Sequence, residues 1–449
     1  MRRAGKTVTL MNLFEKPVQE QRWDLNNTLV STHFYEYDGL GRTAKEIDAL
    51  SNTTLYRYDA FDRMTQTTLP GGAVVARAYA PHSTEDLPVL ISIDGTELGT
   101  QSFDGLGRMS SSVTGGRSQS YDYAPGQIQP NKVTTAGGQI IEYEYDPLLG
   151  EEPAKRTVNG VLATYTYDPK NARLNECTEA GLTLSRSYFS TGQLNSESQG
   201  EYTMIYNYSL QGLILGYTDV LGNTQSYVYD FERGGRLSST KLGTTESSFS
   251  YDELGQTCEI ATIDTTDAAN PQAVTISLQY DEFGREIERS FDLNGVKQKL
   301  VQRYNTIDNL VQRVLSALDE NGDVIEVLRD EAYEYDARAR LTKYSCSGSQ
   351  KPVDPYGNYI DQQIFRFDAL DNITRVRTDF GDESNTAIYA YDGVDPVQLT
   401  SVTNNHASVD PLIIVLKYDL NGNLILDERG RILSYDDLNR LTSVSDTAH

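Results

Sequence analysis

The side chains most able to do chemistry are few in this sequence and lie far apart. A nucleophilic triad needs a serine or cysteine placed near a histidine and an acid, usually within a recognisable motif. None of the four histidines lies in such a setting: His33, His82, His406 and His449. The three cysteines, Cys177, Cys258 and Cys346, lack CxxC or Cys/His spacing for zinc. We therefore expect reduced thiols without a catalytic role.

The acidic residues are numerous, and their arrangement predicts turns rather than reaction centres. With 64 aspartates and glutamates, neighbouring carboxylates arise by chance, and no pair stands out with the fixed separation that glycosidases need. Asp319–Asp323 is similar to the start of a calcium loop, but its glycine comes too early and the distal glutamate is missing. Asp419–Asn423 fails in the same way, and Gly39-Leu40-Gly41 lacks the third glycine of a dinucleotide site. The sequence predicts no enzyme, no cofactor and no metal site.

Charge and hydropathy exclude several classes of partner. The chain has 39 lysines and arginines against 64 aspartates and glutamates, a net charge of −25. A nucleic-acid backbone or an anionic membrane surface would be repelled, because no basic stripe follows Arg2, Arg3 and Lys6. No apolar run is long enough to span a membrane, and no apolar segment of a Sec-type signal peptide follows the first arginines. Nucleic acid and a membrane span are thus not expected.

A repeat with a period of about twenty residues sets the organisation of the chain. Each unit ends in Y-x-Y or a related pair, and the second aromatics are 20 to 24 residues apart from Tyr37 to Tyr251. The series continues less regularly to Tyr435, and aspartate directly follows thirteen of its eighteen members. We predict that such pairs are structural anchors, above all Tyr37 and Asp38, Tyr58 and Asp59, Tyr145 and Asp146, Tyr167 and Asp168, Tyr229 and Asp230, Tyr251 and Asp252, Tyr335 and Asp336, and Tyr418 and Asp419.

Each unit is predicted to form two β-strands joined by turns. Tyr143 and Tyr145 alternate with glutamates at period two, as on a pleated strand. Each anchor precedes a turn such as Asp38–Arg42, in which the aspartate can accept backbone amides and the arginine is close enough to pair with it. A second turn, such as Asn159-Gly160, lies mid-unit and is a hairpin signal. The predicted fold class is all-β.

Stacked hairpins must support one another in so lean a chain. Hydrophobic residues make up 38% of the sequence, which is little for a compact two-layer core. An isolated hairpin is marginal in water, so stability has to come from nearest-neighbour contacts. We expect tyrosines of adjacent units to form aromatic ladders, each pair contributing about 0.5–1.5 kcal/mol. The result would be one continuous sheet without a thick core.

The Y-x-Y-D-x-x-G-R pattern, repeated over about residues 30–445, resembles the YD repeat of RHS proteins. This family includes bacterial polymorphic toxins, the B and C components of insecticidal toxin complexes, and teneurins. The resemblance implies YD-repeat β-hairpins in a spiralling single-layer sheet that forms part or all of a hollow β-shell. In the bacterial toxins the shell encloses a C-terminal effector. We accordingly expect an N-terminal lead-in at 1–30 and a YD/RHS-repeat shell domain at 31–449, without an effector.

Departures from the family pattern also bear on function. Bacterial RHS cores commonly end in a D-P-x-G-like segment that supports self-cleavage. Asp354–Gly357 matches those letters, but it lies in an insertion between repeats and lacks the family's context, so we interpret it as a turn. Because the sequence stops inside a repeat, we expect an incomplete shell.

The predicted function is a structural one: the wall of a shell that sequesters or presents a toxin effector for delivery. The expected partner is that effector domain or a polypeptide that completes the shell. We expect synthesis in the bacterial cytoplasm, followed by secretion or delivery by a non-Sec route. The alternative is a cell-surface adhesion or carbohydrate-binding repeat protein. The segments 263–274 and 347–362 interrupt the period and are either binding loops or neutral insertions.

Overall fold

The structure is a computed structural model that describes residues 4–445. Within them, the regular elements are 39 β-strands and one 3₁₀ turn at Phe231–Arg233. The strands are β1 (Lys6–Met11), β2 (Pro17–Trp23), β3 (Leu29–Tyr37), β4 (Thr43–Ile47), β5 (Thr53–Tyr58), β6 (Met64–Thr68), β7 (Val74–Tyr79), β8 (Pro88–Ile93), β9 (Thr96–Phe103), β10 (Met109–Thr114), β11 (Arg117–Asp122), β12 (Lys132–Thr134), β13 (Ile140–Asp146), β14 (Glu152–Val158), β15 (Val161–Tyr167), β16 (Leu174–Glu179), β17 (Leu182–Tyr188), β18 (Leu194–Gln199), β19 (Tyr202–Tyr208), β20 (Ile214–Thr218), β21 (Thr224–Asp230), β22 (Arg236–Leu242), β23 (Thr245–Tyr251), β24 (Thr257–Asp264), β25 (Gln272–Tyr280), β26 (Glu286–Leu293), β27 (Val296–Tyr304), β28 (Leu310–Leu318), β29 (Val324–Tyr335), β30 (Leu341–Ser347), β31 (Gln362–Phe367), β32 (Ile373–Phe380), β33 (Glu383–Ala390), β34 (Ser401–Thr403), β35 (Ile413–Val415), β36 (Lys417–Tyr418), β37 (Leu424–Leu426), β38 (Ile432–Tyr435) and β39 (Leu441–Ser445).

The strands form a simple antiparallel meander. β1 to β35 make one 35-stranded sheet, and β36 to β39 make a 4-stranded sheet that follows it along the chain. Each strand pairs with the next in sequence, as β3 pairs with β4 and β4 with β5. The register shifts just before the anchor tyrosines, for example between Glu36 and Tyr37 and between Arg57 and Tyr58. Such bulges bend a strand and increase its twist. They recur once per repeat, so the sheet curves regularly.

The sheet is a single layer, as predicted. The chain exposes 26326 Å², whereas a compact protein of 50.1 kDa exposes about 17,000 Å². Buried apolar side chains are scattered, and within residues 4–445 they gather into one small cluster, around Tyr344, Cys346 and Ile360. A second layer would have covered one face of the sheet, so stability has to come from contacts along the layer.

The sheet curls back on itself. The Gly5 amide donates to the Glu282 carbonyl at 2.8 Å, although β1 to β25 lie between them. At about 4.8 Å per strand, these strands give a circumference of about 120 Å and a diameter of about 40 Å. We call residues 5–281 the first coil and residues 282–445 the second coil. The first coil thus surrounds a space that no packed core fills.

The two kinds of turn lie at opposite edges of the coiled sheet, because successive hairpins reverse direction. Turns that follow the anchors, such as Asp38–Arg42, form what we call the YD edge. Turns in the middle of a repeat, such as Asn159-Gly160, form what we call the mid-repeat edge. Both predicted turn classes are present: Gly41 donates its amide to the Asp38 carbonyl at 2.9 Å, and Asn159 and Gly160 have φ of 47° and 82°.

The remaining predicted segments have defined places. Residues 6–23 of the predicted lead-in form β1 and β2 of the same sheet, and the domain boundary at residue 30 stays a prediction. The insertion at 347–362 folds back on the sheet, where Ile360 packs against Tyr344 and Cys346. In the insertion at 263–274, residues 265–271 form an exposed loop, and the remaining residues extend β24 and β25. No helix within residues 4–445 has the length and apolar character to cross a membrane.

Candidate functional site

The anchor tyrosines end their strands and reach back to the preceding repeat. The Tyr58 hydroxyl donates to the Thr43 carbonyl at 2.9 Å. The same bond, from tyrosine hydroxyl to backbone carbonyl, recurs for Tyr37 (2.6 Å), Tyr145 (2.6 Å), Tyr167 (2.8 Å), Tyr251 (2.8 Å), Tyr335 (2.7 Å) and Tyr418 (2.8 Å). Tyr229 packs against Phe231 with ring centroids 6.3 Å apart. Partial burial raises the pKa of Tyr145 and Tyr167 to about 12.

The anchor aspartates organise the turn that follows. In every predicted pair the Oδ1 atom accepts the amide hydrogen of the residue two positions later: Asp38, Asp59, Asp146, Asp168, Asp230, Asp252, Asp336 and Asp419. In several turns Oδ1 also accepts the amide four positions later, as Asp38 does from Arg42 at 3.0 Å. The carboxylate thus satisfies turn amides that no strand can pair.

Arginine connects one repeat to the next. The Arg42 Nε atom donates to Asp38 Oδ2 at 2.7 Å within its own turn. Its Nη1 atom donates to the Asp59 carbonyl at 2.9 Å, in the next turn, and its guanidinium lies 4.8 Å from the centre of the Tyr58 ring. The pattern recurs with Arg63 over Tyr79 at 4.6 Å. We call this group of tyrosine, aspartate and arginine the YD staple.

The staple adds to one prediction. We expected aromatic ladders between adjacent units, and some ring pairs across neighbouring strands are present, such as Tyr206 with Tyr217 and Tyr333 with Tyr344, whose centroids are 6.4 and 5.6 Å apart. Several anchor rings, however, have a guanidinium group as their partner. Arg108 lies over Tyr123 at 4.5 Å, and Arg340 over Phe367 at 4.9 Å. From the sequence, the arginine was recognised as a partner of its own aspartate, but its contact with the next ring was missed. The similar spacing from Arg42 to Tyr58, from Arg63 to Tyr79 and from Arg108 to Tyr123 was the available signal.

The second coil lies on the first with its YD edge against the mid-repeat edge. Arg22 of the first coil donates from Nη1 to Asp308 Oδ2 at 2.8 Å and lies 4.9 Å from the Phe283 ring centre. Further along, Arg117 pairs with Asp395 at 2.7 Å. Burial raises the pKa of Asp308, but the Arg22 guanidinium outweighs burial and holds that pKa below its ordinary value. We call this contact between the coils the seam.

The seam continues to the end of the described chain. The Gly137 amide donates to Asn421 Oδ1 at 2.6 Å. Arg440 donates to Glu179 Oε1 at 2.7 Å, and this hydrogen bond holds the pKa of Glu179 below its ordinary value. Earlier along the seam, between the Arg22–Asp308 and Arg117–Asp395 pairs, a groove is bounded by Gly71 and Gly72 on one coil and by the turn at 336–340 on the other. The seam closes the wall between successive coils.

The residues considered for catalysis or metal binding are placed mainly as turn and packing groups. The His406 Nδ1 atom lies 2.7 Å from Ser408 Oγ and its Nε2 atom 3.2 Å from Glu383 Oε2. The Ser408 amide also donates to that Nδ1 at 3.2 Å, so His406 and Ser408 form a local turn beside Glu383 of β33. His33 lies within β3 and His82 in an exposed turn, and His449 lies outside the described residues. Burial raises the pKa of the Cys346 thiol.

The proposed calcium-like and cleavage-like segments are also turns. Asp319 and Asp419 each accept two turn amides at 2.9 Å. Asp354 accepts the amides of Tyr356 and Asn358, both at 2.9 Å. Its carboxylate is therefore engaged within its own turn, in agreement with the interpretation from sequence.

Comparison with known proteins shows what these features are similar to. A model of the RHS repeat matches residues 37–74. Teneurin-4 of Homo sapiens is 24% identical over 283 residues, which is 56% of this chain and 10% of the relative. Teneurin-4 of Mus musculus matches to the same extent. The chain thus spans about a tenth of the length of these curated relatives.

Solved structures share the fold. The crystal structure of TcdB2-TccC3-Cdc42 aligns with a TM-score of 0.67 at 12% identity, over 98% of this chain and 28% of that chain. The Photorhabdus luminescens Tc holotoxin pore aligns with a TM-score of 0.69 at 13% identity, over 97% of this chain and 26% of that chain. Identities this low establish the fold alone. Residues 37–74 thus match the RHS repeat, and the chain as a whole is similar to YD-repeat proteins in its repeat and to the Tc-toxin structures in its fold.

Proposed function

We propose that the chain is part of the wall of a hollow toxin-complex shell, which sequesters or presents a toxin effector for delivery. The observation that carries this proposal is the closed coil: 25 strands separate the Gly5 amide from the Glu282 carbonyl that accepts its hydrogen bond. A sheet that returns to itself without a packed core encloses space. The role is structural rather than catalytic.

The YD anchors serve this role by stabilising a layer that has little core. Each staple holds its own turn through the aspartate and the neighbouring repeat through the arginine and tyrosine. The wall is therefore stabilised at many of its repeats, by contacts that lie in the plane of the layer. A large cavity can be kept open in this way, because no contact across it is needed.

Partners and localisation follow from the same proposal. The chain covers 26% to 29% of the solved chains that share its fold, so a full shell needs further polypeptide. We infer that an effector domain or a partner polypeptide completes it. We also infer synthesis in a bacterial cytoplasm and delivery outside the cell by a non-Sec route.

The adhesion alternative receives less support from the geometry. Carbohydrate recognition by the anchors would need free ring faces and hydroxyls. The Tyr58 ring carries Arg42, and its hydroxyl donates to a backbone carbonyl. A glycan array separates the two functions, since a wall has no selective sugar ligand.

Small-angle scattering and electron microscopy test the enclosed space. A compact chain of this length has a radius of gyration of about 22 Å. We expect a larger value, together with end-on particle images that show a ring about 40 Å across around an empty centre. A radius near the compact value with filled particle images would refute the wall.

A further inference from the structure

A row of apolar side chains is exposed along the YD edge of the first coil. Each lies two positions after the residue that begins its turn, at the tip of the hairpin. Their exposed fractions are 72% for Leu40, 55% for Phe61, 75% for Leu106, 90% for Leu148 and 51% for Leu254. Single exposed apolar residues are ordinary, whereas a regular row of them marks a surface suited to contact.

Some of the equivalent side chains of the second coil are covered in the seam. Phe283 occupies the same turn position, and Arg22 lies 4.9 Å from its ring centre. A Cβ atom added at Gly5 would lie 2.7 Å from the Phe283 ring. Leu370 and Leu438, at the same position of later turns, are half-buried, whereas Val394, near Gly116, is 84% exposed. The turn position is thus open along the first coil and covered in part of the seam.

The chain also carries the complementary half of the seam. The mid-repeat edge of the second coil presents Val296, Val324 and Ile325, which are 60%, 53% and 66% exposed. These residues lie next to the turns at 294–295 and 319–323. The molecule therefore presents a free YD edge on the first coil and a free mid-repeat edge on the second coil, at its opposite ends.

We propose that a second copy of this chain docks on the free YD edge of the first coil through its own mid-repeat edge. The contact would repeat the seam that already joins the two coils within one chain. The two surfaces differ, so the association is head-to-tail and each dimer keeps one free edge of each kind. Stacked copies would lengthen the wall. Their association does not depend on whether the shell encloses an effector.

Charge gives the association a recognisable salt dependence. Each copy carries a net charge of −25, so two copies repel one another at long range. The docking contact would share the edge-to-edge arrangement of the seam, but the tips that meet in it are apolar where the seam has ion pairs, and salt screens the repulsion without weakening apolar burial. Association should therefore strengthen between 50 mM and 500 mM salt, whereas contact through ion pairs alone would weaken.

Sedimentation velocity of the full chain, at about 1 to 100 µM, tests the proposal. We expect a concentration-dependent shift from monomer to dimer and longer species. Leu40→Asp with Leu106→Asp should weaken association at least tenfold, because charges at the tips would be desolvated in the contact. Val296→Asp with Ile325→Asp should do the same from the other edge. Ile205→Asp, on a strand face and 51% exposed, is the matched control and should leave association unchanged.

Mixing the two double variants distinguishes head-to-tail docking from other contacts. Each variant alone should be monomeric, whereas the mixture should form one-to-one dimers that do not extend, since each partner keeps the edge that the other lacks. Circular dichroism establishes that both variants fold. A wild-type chain that stays monomeric to 100 µM, or double variants that associate as the wild type does, would overturn the proposal.

Discussion

Removal of Arg63 tests whether the YD staple joins neighbouring repeats. Its Nε atom donates to Asp59 Oδ2 at 2.7 Å, its Nη1 atom donates to the Ser83 carbonyl at 2.9 Å, and its guanidinium lies 4.6 Å from the Tyr79 ring centre. The side chain is 11% exposed, so these contacts are little weakened by water. A hydrogen bond to a charged group contributes about 1.5–3 kcal/mol, and a cation–π contact about 0.5–2 kcal/mol. Arg63→Ala should therefore lower the free energy of unfolding by about 2–4 kcal/mol.

The assay combines urea unfolding with hydrogen exchange. Far-UV circular dichroism and the single Trp23 give the unfolding midpoints, and amide exchange locates the weakened region, because repeat proteins can open locally. Arg233→Ala is the matched control. Arg233 is 79% exposed, and its Nε atom lies 3.7 Å from Asp230, so its loss should cost less than about 0.5 kcal/mol.

The place of faster exchange decides the mechanism. If the arginine links two repeats, protection should fall both in the turn at 59–63 and in the following turn at 80–87. Faster exchange confined to 59–63 would show an arginine that serves its own turn alone. A stability equal to that of the control variant would refute the staple altogether.

Three further predictions follow from the seam and the titrating groups. In urea unfolding, Gly115→Ala should lower the free energy of unfolding by about 3 kcal/mol more than Gly243→Ala does. Both glycines have positive φ, +54° and +58°, but a Cβ at Gly115 would overlap the buried Asp395 carboxylate, whereas a Cβ at Gly243 would have no neighbouring atom within 4 Å. Equal losses would mean that the seam adds nothing to stability. The Arg42 side chain lowers the pKa of Asp38, and the Arg108 side chain lowers the pKa of Asp104. The stability contributed by these two ion pairs is therefore complete above the unfolded-state pKa of about 4 and is lost as pH falls through the lowered pKa. Urea midpoints should stay constant down to about pH 4.5 and drop below it, and a drop that begins near pH 6 would contradict an origin in these aspartates. Burial raises the pKa of Tyr145 and Tyr167 to about 12. Their contribution to stability is therefore complete below the unfolded-state pKa of about 10 and disappears as pH rises towards 12. Tyrosinate absorbance at about 295 nm should rise together with the loss of circular dichroism, whereas full ionisation of tyrosine in a still-folded chain would contradict the prediction.

Local features of the fold could be predicted from the sequence because their causes are local. The alternation of Tyr143 and Tyr145 with glutamates specifies a strand. The Asp38–Arg42 pattern specifies a turn that is closed by an ion pair between these two side chains, at 2.7 Å. Regular repetition then specifies neighbouring hairpins in one layer. Each of these inferences involves residues that are close in the chain, and the structure contains the ion pair and the layer.

The seam could not be predicted in the same way. Arg22 and Asp308 are 286 residues apart, and Arg440 and Glu179 are 261 apart. Which residues meet depends on how many strands complete one coil, and that number depends on small rotations between strands summed over the circle. A slight change in each bulge would bring different turns together, so no short pattern records these pairs.

The staple and the seam explain together how a thin wall can be stable without a thick core. In a compact domain, the free energy of folding comes mainly from the burial of apolar side chains between layers of secondary structure. Here the arginine, aspartate and tyrosine of each repeat lie at the rim of the sheet, where strand pairing ends and the backbone would otherwise be unsatisfied. In the seam, that rim of the second coil lies on the mid-repeat edge of the first coil, as with Phe283 beneath Arg22. The edge that stabilises a repeat is therefore also the edge that contacts the preceding coil, and the wall can grow without any change in the repeat.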